Sequence, residues 1–229
     1  MITLLGVGHV FDLRSAVRDA IHARRPRVVA LELDATRYHV LARGGSRARG
    51  WSTLGLLARF EERIAAKYGV RVGDEMIAGA LAAREVGAEI ALIDVDSREV
   101  ILRVLREMSL VERIRFFGSI LRSLFVGQER VEEEIERYHA DESGVLAEFA
   151  SVLPTAKRIL VDERDAHMAR RLIELHGAKG DVVALVGDGH VGGLVQGLRD
   201  QPVEVLRLRD LRSPPASGPG GTATVSFDL

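Results

Sequence analysis

The sequence predicts an α/β fold, with a mainly parallel open sheet, helices on both faces of the sheet and one helical insertion. Short apolar runs alternate with amphipathic stretches, which is typical of strand, helix, strand units. The runs are apolar at nearly every position, as expected of parallel strands that are buried on both faces. One later stretch has helical periodicity and contains no such run. These three observations favour one parallel sheet with right-handed crossovers.

Five apolar runs are the predicted strands, and four amphipathic stretches are the predicted helices. Each run is β-branched or rich in leucine and is followed by turn residues. The predicted strands are residues 2–6, 27–33, 89–94, 181–187 and 203–208. The predicted helices are residues 13–24, 36–41, 73–86 and 157–176. Asp74 suits the N-cap of the third helix, because its carboxylate can accept hydrogen bonds from unpaired backbone N–H groups.

Residues 97–153 are predicted to form a helical insertion within a single α/β domain of residues 1–212. Two packed helices are the simplest interpretation of this insertion, and a lid over the site or a membrane-surface helix are the alternatives. An apolar stripe on it needs a partner, which predicts a homodimer. The stripe consists of Phe116, Phe117, Ile120, Leu121, Leu124 and Phe125. Residues 44–52 are a predicted surface loop, and residues 213–229, rich in proline and glycine, a predicted flexible tail.

The composition bounds the function. The 229 residues are 47% hydrophobic and 28% charged, as in globular proteins that bury a sizeable core. A formal net charge of -1 provides no field for collecting polyanions, so we expect no nucleic-acid partner. The start does not resemble a signal peptide, and no apolar run approaches the roughly 18 residues of a membrane span, which predicts a cytoplasmic protein without a transmembrane segment. Without cysteine, a metal ion must be held by imidazole, carboxylate or water.

The most informative feature is a near-repeat of the form Leu-x-Gly-x-Gly-His-Val. Residues 4–10 read Leu-Leu-Gly-Val-Gly-His-Val, and residues 185–191 read Leu-Val-Gly-Asp-Gly-His-Val. Each copy lies where a predicted strand ends, at the edge of an open parallel sheet where ligands usually bind. The glycines allow a tight turn and a close approach of substrate. His9 and His190 are therefore expected to project into one crevice.

The predicted strand at residues 27–33, which is not part of the near-repeat, carries a carboxylate near its end. Glu32 follows an apolar run, and Asp34 is expected on the same face because strand side chains alternate. Burial of a carboxylate is costly unless the group is paired or binds a metal ion. His9, Glu32 and His190 therefore form a predicted three-ligand site for Zn²⁺ or Mn²⁺, with an open position for water. A bound ion would lower the pKa of that water and supply a nucleophile near neutral pH.

Further charged residues surround these ligands in the prediction. Arg164 can orient Glu32 or stabilise an oxyanion, and Glu163, its neighbour in the chain, is a candidate catalytic residue beside it. Asp162 and Asp165 are explained by the preference of a helix N-terminus for acids. Asp94 and Asp96 follow the third strand and could cap the next helix. The predicted substrate-binding residues are Arg37, Asp94 and Asp188.

One motif offers a competing interpretation. Residues 187–192 satisfy Gly-x-Gly-x-x-Gly after a predicted strand, which is the phosphate-binding fingerprint of dinucleotide enzymes. That fingerprint normally belongs to the opening βαβ unit of its domain, and too little chain follows here to complete such a unit. Nucleotide binding is therefore not the favoured function, and no cofactor-binding residues are predicted besides the metal ligands.

These motifs resemble the TraB/PrgY family, which is related to the Tiki and GumN proteins and more distantly to the erythromycin-esterase and ChaN-like folds. The resemblance rests on two Gly-x-x-His motifs, a strand glutamate and an arginine after a late glutamate. It covers residues 6–9, 29–38, 87–96, 163–169 and 186–191. In two places the chain departs from the family pattern: Gly-Thr-Ala-His is Gly-Val-Gly-His here, and Asp-Arg-Asp is Asp94-Val95-Asp96, which removes a cation.

The resemblance implies a metal-dependent hydrolase that is peptidase-like, because Tiki proteins are metalloproteases that use manganese- or cobalt-type ions and PrgY shuts down a peptide pheromone. By this analogy His9, Glu32 and His190 hold Mn, Co or Zn, with Glu163 and Arg164 in support. The expected substrate is a peptide or a small amide. The alternative is a module without catalysis that binds and sequesters a peptide in the same crevice.

Overall fold

Five parallel strands form the sheet in the computed structural model. The residues that the structure describes are 1–8, 12–43, 73–123 and 150–212. The strands are β1 (Ile2–Val7), β2 (Val28–Leu31), β3 (Glu89–Leu92), β4 (Val182–Gly187) and β5 (Val203–Leu206). Their order across the sheet is β3-β2-β4-β1-β5, and every neighbouring pair is parallel. The predicted α/β fold with a parallel sheet is confirmed.

β4 lies between β1 and β2 and brings their carboxyl ends to one edge of the sheet. Val7 at the end of β1 pairs with Gly187 at the end of β4, and Leu31 at the end of β2 pairs with Leu185. The ladder continues for one residue beyond β2, because the N–H of Glu32 donates to the carbonyl of Leu185 at 3.0 Å. The two strands of the near-repeat are therefore adjacent, and Glu32 lies beside the second copy.

Nine helices lie in the described part of the chain. They are α1 (Arg14–Arg24), α2 (Ala35–Ala42), α3 (Asp74–Val86), α4 (Ser97–Glu107), α5 (Leu110–Ser123), α6 (Pro154–Lys157), α7 (Glu163–Lys179), α8 (Asp188–Gly197) and α9 (Leu208–Arg212). A π-helical turn, Arg158–Asp162, joins α6 to α7. Such turns are rare in proteins as a whole, and those that occur often lie beside functional sites.

Two apolar cores cover the two faces of the sheet. On one face, α1, α3 and α9 pack on the side chains of Leu5, Leu31 and Leu185. On the other face, α7 and α8 pack on Leu4, Ala30, Val186 and their neighbours. The strands bury side chains on both faces, which explains why their sequences are apolar runs rather than alternating patterns.

A third apolar cluster holds the described part of the helical insertion. Val104 of α4 and Met108, the C-cap of α4, pack against Leu153, Ala156 and Ile159, which precede α7. The described part of the insertion is therefore packed against the segment that leads into α7. Phe116, from the predicted apolar stripe, is half-buried against this cluster. The side chains of the other five stripe residues lie outside the described residues.

A Ser-x-x-Glu capping box begins α5. The Ser109 N–H donates to Glu112 Oε2 at 2.9 Å, and the Glu112 N–H donates to the Ser109 hydroxyl at 3.2 Å. The other carboxylate oxygen of Glu112 accepts from the Thr155 N–H at 2.7 Å, at the start of α6. One buried carboxylate therefore joins the N-termini of α5 and α6.

Several predicted boundaries are corrected. The helix predicted at residues 157–176 divides into the end of α6, the π-helical turn and α7, which continues to Lys179. Gly73 rather than Asp74 is the N-cap of α3. β2 is shorter than residues 27–33 and ends at Leu31. The predicted loop at residues 44–52 and the predicted tail at residues 213–229 lie outside the described residues.

Candidate functional site

Glu32 lies at the carboxyl end of β2 and faces the N-termini of α7 and α8. Its side chain is 10% exposed. Oε2 accepts from the N–H of Gly187 at 2.6 Å, at the point where β4 turns directly into α8. The unpaired N–H groups and the dipole at a helix N-terminus favour a negative charge there. Oε1 accepts from Arg164 at 2.6 Å, so both carboxylate oxygens have partners.

Arg164, in the first turn of α7, is the centre of the cluster. Its Nε and Nη2 atoms donate to the two oxygens of Asp94, at 2.9 and 2.6 Å. Nη2 also donates to Glu32, and Nη1 donates to the carbonyl of Leu160 at 3.0 Å. A guanidinium has five N–H donors, and these contacts account for four of them. The remaining donor lies at Nη1, which is 3.2 Å from Nε2 of His190.

His190, in the first turn of α8, is held at both ring nitrogens. Nδ1 lies 2.6 Å from Oδ1 of Asp165, and Nε2 lies 3.3 Å from Oε1 of Glu32. The side chains of His190 and Asp165 are 13% and 8% exposed. The ring therefore bridges two carboxylates, one from α7 and one from the end of β2.

A second guanidinium extends the cluster away from His190. Arg37 donates to Asp94, and its Nε donates to Asp34 at 2.6 Å. Asp34 is the N-cap of α2, accepts from the Arg37 N–H at 2.8 Å, and accepts from the N–H of Ser97 at 3.2 Å. Asp94 is only 1% exposed, so it positions two arginines and is out of reach of a substrate in this arrangement.

The charges of the cluster nearly balance. Burial alone would raise the pKa of Glu32, but His190, Arg164 and the N–H of Gly187 outweigh burial and lower this pKa below its ordinary value. Burial would lower the pKa of His190, but interactions of the protonated ring with the Asp165 and Glu32 carboxylates raise it to about 9. The predominant effect on Asp165 is burial, which raises its pKa. At neutral pH these shifts favour the carboxylate form of Glu32 and the imidazolium form of His190.

Two predicted site residues lie apart from the cluster. Glu163 binds Arg103 and Arg158 at a half-exposed position on the surface. Asp188 accepts from Arg207 at 2.8 Å and from the N–H of Leu208 at 2.9 Å, and so holds the connection between β5 and α9. The structure does not bring either residue to Glu32. His9 lies outside the described residues.

Two other expectations are corrected. Asp34 does not share a strand face with Glu32, because β2 ends at Leu31 and the alternation ends with it. Val95 stands where the family pattern has an arginine, but Asp94 still has cationic partners, because Arg37 and Arg164 both bind it. Asp96 is the N-cap of α4, whereas Asp94 belongs to the cluster.

The sequence did not indicate the role of Asp165. An acid in the first turn of a helix has a sufficient structural explanation, and only the packing of α7 against α8 brings this one to His190. Arg37 was predicted to bind substrate, and its contacts with Asp34 and Asp94 make it a bridge within the protein. A usable signal was its spacing from Asp34, since residues three apart on a helix face each other.

Within the described residues, no group of three or more His, Asp or Glu side chains is arranged to hold a metal ion. Two of the three predicted ligands, Glu32 and His190, are adjacent. No helix among the described residues is both long enough and apolar enough to cross a membrane.

The fold and the cluster define a layered α/β protein with a buried, charge-paired site at the carboxyl edge of a parallel sheet. The chain belongs to the TraB/PrgY/gumN family, whose model matches residues 1–207.

A curated protein of Methanocaldococcus jannaschii, described as uncharacterized, is 30% identical over 212 residues, which are 86% of this chain and 53% of that protein. The chain thus spans about half the length of this relative. A solved structure described as cofacial heme binding to ChaN of Campylobacter jejuni is similar with a TM-score of 0.41 and 14% identity, over 89% of this chain and 79% of that chain.

Proposed function

We propose that the cluster is the active site of a metal-dependent hydrolase that cleaves peptides or small amides, with His9, Glu32 and His190 as the ligands of Mn, Co or Zn. The observation that carries this proposal is the arrangement of His190. Its Nδ1 is held by Asp165, and its Nε2 lies 3.3 Å from a carboxylate oxygen of Glu32.

One pair of the proposed donor atoms has a separation that is compatible with a small divalent ion. Ligand bonds of 2.0–2.1 Å at tetrahedral angles separate two donor atoms by about 3.3–3.4 Å. The separation of 3.3 Å between Nε2 of His190 and Oε1 of Glu32 matches this value. A ligating histidine usually donates its other ring N–H to a carboxylate, as His190 does to Asp165. His190 must lose the proton on Nε2 before it binds an ion.

A bound ion would activate water for attack on an amide carbonyl. The protein would supply the rest of the chemistry. Glu32 would act as ligand or as general base, and its orientation is fixed by the Gly187 N–H and by Arg164. The Nη1 donor of Arg164 that points toward His190 is the one available to a developing negative charge on the substrate.

Metal binding is the first test. We expect elemental analysis and titration calorimetry with Mn²⁺, Co²⁺ and Zn²⁺ to give one ion per chain, with binding lost in His9→Ala, Glu32→Gln and His190→Ala. His22→Ala is the matched control, because His22 is a helix residue paired with Glu85 on the surface. If the wild type binds no divalent ion, the proposed function is wrong.

Peptide cleavage is the second test. The metal-loaded wild type should shorten peptides over hours in a mass-spectrometric screen, and Arg164→Gln should bind the ion but cleave slowly. Cleavage that persists in both His190→Ala and Glu32→Gln would show that the activity arises elsewhere.

A binding module without catalysis is the second candidate function. The complete charge pairing of the cluster favours it, because Arg164 and His190 already neutralise Glu32 without an ion. Such a module would hold a peptide intact over hours in the presence of Mn²⁺. Equilibrium dialysis followed by mass spectrometry separates the two functions, since an enzyme returns fragments and a binding module returns the whole peptide.

Homodimerisation remains part of the proposal. α5 exposes Leu110, Val111 and Ile114 at its start, ahead of the predicted stripe. We expect light scattering at micromolar concentration to give twice the mass of the chain, and a monomer would contradict the dimer. A cytoplasmic location also stays a prediction.

A further inference from the structure

We propose that Asp165 is a positioning residue that fixes the ring of His190 with Nε2 toward Glu32, and that Gly193 is the residue that makes room for it. The inference rests on the proposed function for its consequence, which is metal affinity. The contact itself can be measured in protein that contains no metal.

The contact is buried and joins two helices. Asp165 Oδ1 lies 2.6 Å from Nδ1 of His190, and Asp165 is 6% exposed as a residue. A ring with Nδ1 bound to one carboxylate cannot turn over without breaking that bond. Nε2 is therefore the nitrogen presented to Glu32.

Among the described residues, Asp165 occupies the space next to Gly193. A Cβ built on Gly193 would lie 2.0 Å from Oδ2, 2.7 Å from Cγ and 3.1 Å from Cβ of Asp165. Movement of the carboxylate tip alone would not relieve such a clash, because the whole side chain is too close. Gly193 is not among the glycines with positive φ in the described part of the chain, so its backbone does not require glycine.

The spacing supports the same conclusion. Gly193 follows His190 by three residues, which places the two on one face of α8. This face of α8 therefore presents the His190 ring and, one turn later, the space at Gly193 in which the Asp165 carboxylate lies. Gly192, the preceding residue, has no atom within 4 Å of a built Cβ.

A general preference of helix N-termini for acids does not account for Asp165. The π-helical turn runs directly into α7, and the Glu163 N–H already donates to the Arg158 carbonyl, so the start of α7 is not a free helix N-terminus. Asp165 is instead buried, at a free-energy cost that its contact with His190 offsets.

The test uses the nitrogen-15 spectrum of histidine-labelled protein without metal, compared with Mn²⁺ affinity measured by calorimetry. The wild type should give a ring N–H proton signal protected from exchange with water, assigned to His190 by its absence in His190→Gln. Asp165→Ala and Gly193→Ala should lose this signal, whereas Asp165→Asn should keep it, since the amide oxygen can accept the same bond. Gly192→Ala is the matched control and should match the wild type.

The Mn²⁺ affinity should fall roughly 10- to 100-fold in Asp165→Ala and Gly193→Ala, the usual effect of removing a partner of a ligating histidine. An unchanged ring signal in Asp165→Ala, or identical behaviour of Gly193→Ala and Gly192→Ala, would overturn the inference. If the signal changes as expected but the wild type binds no metal, Asp165 still positions His190 and the proposed function fails separately.

Discussion

Arg164 and Asp94 form a two-bonded ion pair in the interior, with Nε to Oδ1 at 2.9 Å and Nη2 to Oδ2 at 2.6 Å. The same carboxylate also accepts from Arg37. Planar guanidinium groups suit such paired contacts, and the pair fixes the plane of Arg164 so that Nη2 reaches Glu32. The orientation of Glu32 therefore depends on a carboxylate that is almost fully buried.

Asp94→Asn should destabilise the protein by about 3–5 kcal/mol, because it leaves two buried guanidinium groups without their shared counter-charge. Urea unfolding measures this free energy. Glu174→Gln is the control, since it removes an exposed partner of Arg171 and should cost less than about 1 kcal/mol. Equal losses of unfolding free energy in the two variants would show that the buried ion pair stabilises the protein no more than an exposed one.

Arg164→Lys should behave as a severe substitution despite its retained charge. A lysine ammonium cannot reach Asp94 at two oxygens, Glu32 and the Leu160 carbonyl at once. We expect the free energy of unfolding to fall by about 1–3 kcal/mol, since acceptors that arginine satisfied remain buried. Arg171→Lys, at an exposed ion pair, should leave thermal stability nearly unchanged, and a similar loss there would contradict the explanation.

Glu112 should make stability depend on acid pH. Burial would raise its pKa, but hydrogen bonds from Ser109 and Thr155 lower it from 4.5 to about 2. A lowered folded-state pKa contributes stability above the unfolded value, and this contribution is lost as pH falls from 4.5 toward 2. Glu112→Gln should therefore cost about 1–2 kcal/mol at pH 7, typical of a lost helix cap, and progressively less below pH 4.5.

Unfolding in urea between pH 2.5 and pH 7, about the range in which a lowered carboxyl pKa acts, measures this difference. Asp200 is 87% exposed, so the difference in the free energy of unfolding between wild type and Asp200→Asn should not decrease in this way as the pH falls. A gap between wild type and Glu112→Gln that stays constant over this range would contradict the assigned cause.

Gly6→Ala should destabilise the protein because its Cβ would lie 2.2 Å from Oδ1 of Asp188. That oxygen accepts from the N–H of Leu208, so it cannot move without losing this bond. We expect a loss of about 1–3 kcal/mol, typical of overpacking. Gly177→Ala, where a Cβ meets nothing within 4 Å, should instead be neutral or stabilising by up to about 1 kcal/mol in thermal unfolding.

The sequence was sufficient to predict the strands and their parallel arrangement but not their order. Apolar runs identify buried strands, since both faces of this sheet are covered. Such runs carry no mark of their neighbours, and β4 lies between β1 and β2 although it follows them by many residues. The strand boundary at Leu31 was equally hidden, because the chain after it remains apolar at Leu33.

The site was predictable where chemistry leaves a pattern in the sequence. Glu32 and His190 follow apolar strands, and they lie beside each other. The partners of these residues were less accessible, because Asp165 and Arg37 owe their roles to contacts between helices. Asp188 lies within the near-repeat and was predicted to bind substrate. Its carboxylate instead binds the segment after β5.

The central position of β4 also determines when the site can exist during synthesis. Glu32 is made before its partners, because the Gly187 N–H that it accepts from lies 155 residues later and Arg164 lies 132 residues later. A ribosome-bound chain that ends before β4 holds β1 and β2 without the strand that joins them. The site can therefore form only after β4 and the start of α8 have been made, and a chain cut before β4 has the carboxylate of Glu32 without the backbone N–H of Gly187 or the ring of His190.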